Sequence, residues 1–76
     1  MTVSYTPPPR KIPGLRKVRP KSGRARWKDH DGNIYERDGQ HANLEKYDPR
    51  GQHLGELSWP GLAEVAPAKP NRSVDP

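Results

Sequence analysis

Ten consecutive residues, Asp38-Gly39-Gln40-His41-Ala42-Asn43-Leu44-Glu45-Lys46-Tyr47, hold the side chains best suited to chemistry. Asp38 and Glu45 bracket His41, and Tyr47 closes the run. A carboxylate can accept a proton. An imidazole, with an unperturbed pKa of about 6.5, can be kept charged near neutrality by a neighbouring carboxylate and then give a proton away. Glu45 fits a general base, His41 a general acid, and Asp38 the group that orients His41.

The charge around this run says what such a pair would act on. The net charge is +5, but it is divided unevenly. Residues 1–28 carry nine Arg and Lys and no acid, whereas residues 29–76 sum to −4. A one-sided field of this kind attracts a polyanion, nucleic acid first and an acidic protein second. RNA carries its own nucleophile. Its cleavage needs a base for the 2′-hydroxyl, an acid for the departing 5′ oxygen, and positive charge on the phosphorane. No metal or cofactor is required.

Other classes are excluded or disfavoured. Cys is absent, so disulfides and thiolate zinc sites do not arise. A metal site from His30, His41 and His53 would need three distant turns to converge. No apolar run reaches the ~20 residues of a membrane span, and no apolar segment of signal-peptide type is present. With 76 residues, 29% of them hydrophobic and none Phe, the chain makes one small domain with a thin core.

The turn chemistry predicts a mainly β fold: a highly twisted antiparallel sheet of four to five strands behind an extended basic arm. Residues 1–23 read as a Pro-rich arm and 24–76 as the folded domain. Asp29-His30-Asp31-Gly32 predicts a hairpin between strands 24–29 and 33–38. Asp38-Gly39-Gln40 leads into a strand over 41–47, and Asp48-Pro49-Arg50-Gly51 into one over 52–58. A short helix around 62–65 and a last short strand near 71–74 complete the reading.

Alternation along residues 41–47 puts His41, Asn43, Glu45 and Tyr47 on one face, and Ala42, Leu44 and Lys46 on the other. Asp38, across the turn, joins the first set. Glu45 and His41 would lie ~13 Å apart on a straight strand, so a twist or bulge has to bring them to one phosphate. By the same alternation His53 falls on the face away from Glu45. Trp27 and Tyr35 read as core residues, while Tyr47 suits either core packing or base stacking. Arg24, Arg26, Lys28 and Lys46 are the expected phosphate contacts, with Tyr47 and His53 as further RNA contacts.

Several stretches share an ordered set of motifs with a known family: Arg26-Trp27, Ile34-Tyr35-Glu36-Arg37-Asp38-Gly39-Gln40-His41, Leu44-Glu45-Lys46-Tyr47, Gly51-Gln52-His53-Leu54-Gly55 and Lys69-Pro70-Asn71-Arg72. Together they resemble the cytotoxic ribonuclease domain of the ribosome-cleaving colicins and cloacin, over about Arg24 to Arg72. The resemblance implies a metal-independent endoribonuclease that cuts 16S ribosomal RNA once, at the decoding site of the small subunit. It places the catalytic residues on Asp38, His41, Glu45 and Arg72, with Tyr47 as aromatic partner.

It also implies three things beyond the domain: a larger toxin with translocation and receptor domains, a tightly bound acidic immunity protein, and action in the cytoplasm of a target bacterium. The sequence departs from the family pattern at Asn43, where a second Glu is usual, in a shorter turn before Gly51, and over 58–67. The rival expectation is a non-catalytic basic RNA-binding or ribosome-associated module built on the same sheet.

Overall fold

The computed structural model describes residues 12–21, 23–37, 43–58 and 62–76. The arm before Ile12, the Asp38-Gly39-Gln40 turn and His41 lie outside the described residues. Six strands form one antiparallel sheet in chain order. They are β1 (Arg16–Val18), β2 (Arg26–Lys28), β3 (Ile34–Arg37), β4 (Leu44–Tyr47), β5 (His53–Leu57) and β6 (Glu64–Pro67). The fold is mainly β, as the spacing of turns predicts, with six strands where four to five were expected and three further corrections.

First, part of the stretch read as an arm belongs to the sheet. β1 pairs with β2, and Leu15 N–H donates to Ile12 C=O across Pro13-Gly14. Pro13-Gly14 falls within the stretch expected to be an extended arm. Here the pair builds a tight turn that tucks Ile12, 2% exposed, into the core. A boundary at residue 23 would therefore cut a hairpin. Second, residues 62–65 form no helix: Glu64 and Val65 already belong to β6, an edge strand that can end on Pro67 because the edge needs no further donor. Third, the last short strand expected near 71–74 does not form: Lys69 to Arg72 is a turn, and Ser73 makes only an isolated bridge to Gln52.

The two faces have different jobs. Ile12, Trp27, Tyr35 and Leu44 form the core on one face, with Leu15, Ala25, Leu57 and Leu62 packed against it. Lys17 lies over the Trp27 ring and Lys46 over Tyr35, so two cations cap the core aromatics. Trp27 and Tyr35 are core residues, and Lys46 reaches away from Glu45. The other face holds a cross-strand row, Arg26–Glu36–Glu45–Glu56.

Two hairpin turns use the same device. Asp29 Oδ1 accepts from the backbone N–H groups of Asp31 and Asn33, and Asp48 Oδ1 from those of Arg50 and Gln52. Each turn ends on a glycine with positive φ, Gly32 at 86° and Gly51 at 91°, a conformation that costs other residues about 1 kcal/mol or more. Asp29 Oδ2 also accepts from Asn33 Nδ2 and from the Tyr35 hydroxyl, at 3.0 and 2.8 Å. Burial alone would raise the Asp29 pKa. The hydrogen bonds from Asn33, Tyr35 and Asp31 outweigh it and hold the carboxyl below its usual value.

Asp29→Ala should therefore cost about 2–3 kcal/mol, a large share of the stability of a small domain. Because the folded pKa is depressed, this contribution is complete above the ordinary carboxyl pKa and is lost as pH falls through the folded value. Urea titrations of wild type, Asp29→Ala and the exposed control Asp31→Ala check this. Equal midpoints for all three would contradict it.

Candidate active site

Glu36, Glu45 and Glu56 stand directly opposite one another on β3, β4 and β5. Like charges at such positions repel, and each carboxylate here has its own donor. Arg26 donates to Glu36 Oε2, from Nε at 2.9 Å and also from Nη2, with both side chains almost fully buried. Asn43 Nδ2 donates to Glu56 Oε2 at 2.6 Å. The amide at a position where the resemblance expects a carboxylate thus supplies a donor where an acid would have added a fourth negative charge.

Glu45 is paired with His53. The imidazole Nε2 lies 2.7 Å from Glu45 Oε1, and both residues are 3% exposed or less. This overturns the expectation from alternation. Lys46 pairs with Gly55, but Tyr47 pairs with His53, so β5 carries one extra residue, Leu54. The bulge turns His53 onto the face of Glu45. A signal for it was present in Gly55, since a glycine inside a strand often marks a bulge.

A second contact fixes the ring. The backbone N–H of Lys69 donates to His53 Nδ1 at 2.9 Å. Nδ1 is therefore an acceptor, and the ring proton sits on Nε2, where it is donated to Glu45. His53 also meets the Tyr47 ring edge-on, with centroids 5.2 Å apart.

The tail that delivers Lys69 delivers Arg72 as well. Lys69-Pro70-Asn71-Arg72 is a β-turn closed by Arg72 N–H to Lys69 C=O at 3.0 Å. Its first residue caps His53. Its last brings the Arg72 guanidinium to 3.9 Å from Glu45 Oε1 and into a hydrogen bond with the Tyr47 phenol oxygen. Burial raises the Tyr47 pKa; the Arg72 charge and hydrogen bond oppose the rise, and Glu36 and Glu45 add to it. The turn is pinned by Arg72 C=O, which accepts from His53 N–H, and by Val74 N–H, which donates to Gly51 C=O.

Among the residues considered from sequence, Glu45, Tyr47, His53 and Arg72 converge. Asp38 and His41 lie outside the described residues. Arg26 does not serve as an RNA contact: it is 2% exposed and spent on Glu36. Tyr47 and His53 are buried too, so they act on Arg72 and Glu45 rather than stacking on bases. Lys28 is half-buried and Arg24 exposed. Among the described residues, no cluster of three or more His, Asp or Glu is arranged to hold a metal ion.

Residues 6–75 match the family model described as Cytotoxic. The chain belongs to the Cytotoxic family. The match takes in both the β1 hairpin and the tail turn, and it gives this Cytotoxic domain the general role of a toxin nuclease. No curated protein and no solved structure matches the chain.

The tail's place depends on Gly51. A Cβ there would lie 2.0 Å from the Val74 carbonyl oxygen, a backbone atom. Gly51→Ala should push the tail off the sheet and carry Arg72 away from Glu45. Hydrogen exchange would then show lost protection at the His53 and Val74 amides. Unchanged protection at both would contradict the account.

Proposed function

We propose that this Cytotoxic domain is a metal-independent endoribonuclease that cuts 16S ribosomal RNA at the decoding site of the small subunit, stopping protein synthesis in a target bacterium. The observation that carries the reading is the Glu45 carboxylate, held by a histidine N–H on one oxygen and by a nearby guanidinium. Among the described residues its other oxygen, Oε2, has no partner. That oxygen takes the proton of the 2′-hydroxyl. The 2′ oxygen then attacks phosphorus, and Arg72 faces the charge that builds on the phosphorane. The 5′ oxygen leaves with a proton from His41, giving a 2′,3′-cyclic phosphate. The roles of His41 and of Asp38 behind it rest on the family resemblance.

Glu45 is nearly sealed, whereas the Arg72 side chain is 35% exposed. A substrate phosphate competing for Arg72 would loosen its 3.9 Å contact with Glu45 and open the way to the base. A purely RNA-binding module has no use for three glutamates on the face that would meet phosphate. The reading carries two partners with it: the remainder of a larger delivered toxin, and an acidic immunity protein whose charge suits the basic arm.

Glu45→Gln should keep ribosome binding and slow cleavage by about 10²–10⁴-fold, and EDTA should leave wild-type activity intact. The assay is incubation with intact bacterial ribosomes, read as one short 3′ fragment on a denaturing gel. Wild-type cutting by Glu45→Gln would remove the general base, abolition by chelator would remove the metal-free mechanism, and ribosomes left intact by wild type would leave the binding module.

A further inference from the structure

An open groove of about 320 Å³ lies at the β1–β2 edge, lined by Gly14, Leu15, Arg16, Lys28, Asp29 and His30. Its size is at the lower end of small-ligand sites, ~300 Å³. Register ties it to the active-site face. Arg16 pairs with Lys28, Lys28 with Ile34, Ile34 with Tyr47, and Tyr47 with His53, so these five form one cross-strand row. With strands ~5 Å apart, Lys28 stands roughly 10 Å and Arg16 roughly 15 Å from Tyr47 along that row.

We propose that this groove is a second phosphate subsite, gripping the RNA strand a few nucleotides from the bond that is cut. The proposal rests on the nuclease reading above. Arg16 supplies a planar fork matched to phosphate oxygens and Lys28 a compact charge. The exposed imidazole of His30 at the rim offers a hydrogen bond to phosphate or ribose. Asp29, the one acid in the lining, is already committed: its two oxygens accept four hydrogen bonds from Asp31, Asn33 and Tyr35.

The neighbouring residue provides the contrast. Lys17 has the same charge as Arg16, but it lies over Trp27 on the core face. A diffuse basic field would value the two equally. A built subsite would not.

The test uses the full chain, intact ribosomes for kinetics, and a 2′-O-methyl RNA oligonucleotide for fluorescence anisotropy across a salt series. Arg16→Ala/Lys28→Ala should raise KM and oligonucleotide Kd roughly tenfold with kcat within about twofold, and flatten the log–log salt slope by ~1.4, at ~0.7 per single-strand phosphate contact. Lys17→Ala should leave slope and KM near wild type, and Arg16→Lys should keep most of the slope. Urea midpoints confirm that the variants are folded.

An unchanged KM and slope in the double variant would overturn the subsite, including the case in which the groove serves an acidic protein. So would equal effects from Lys17→Ala, or a fall in kcat at constant KM. If wild type fails to cut ribosomes, the nuclease reading falls alone, because anisotropy with the uncleavable RNA still decides whether the groove grips phosphate.

Discussion

Three glutamates on adjacent strands face the same side of a thin sheet, and the structure is built around neutralising each one separately. Two of the solutions are static. Arg26 and Glu36 form a buried ion pair, and Asn43 caps Glu56. The middle one is different in kind. Glu45 is held by a neutral N–H donor, with a guanidinium 3.9 Å away in place of a tight ion pair. Glu36 is locked to a cation and Glu56 is capped by an amide, whereas Glu45 combines a neutral donor on Oε1 with a guanidinium 3.9 Å away.

That arrangement depends on distant parts of the chain. The extra residue Leu54 rotates His53 toward Glu45. The Lys69–Arg72 turn then fixes the ring through one end and supplies charge through the other. Gly51, packed against Val74, lets the tail lie close enough for both. The opposite face holds what core there is, four residues around Trp27, with lysines capping its aromatics. Dividing the sheet this way lets a small domain bury a polar site without weakening a core it can hardly spare.

Much of this was legible in the sequence. The Asp29–Gly32 and Asp48–Gly51 turns announced themselves through Asp and Gly at set positions, and alternation put Glu45 and Tyr47 on one face. What alternation could not report was His53, because one inserted residue inverts the pattern from that point. From the sequence Arg26 reads as a phosphate contact, since a charge count cannot distinguish a solvated cation from a buried one; only its register opposite Glu36 reveals its use. Pro13-Gly14 reads as part of an extended arm for a related reason. The same dipeptide sits in a linker or makes a tight turn, and which it does depends on Ile12 having a core to enter.

His53 presents its Nε2 proton to Glu45 because Lys69 occupies Nδ1. Nitrogen-15 NMR of the histidine rings measures this directly. His53 should show a protonated Nε2, an unprotonated Nδ1, and a scalar coupling across the hydrogen bond from the Lys69 amide to Nδ1. A proton on Nδ1, or a ring exchanging freely between its two tautomers, would contradict it.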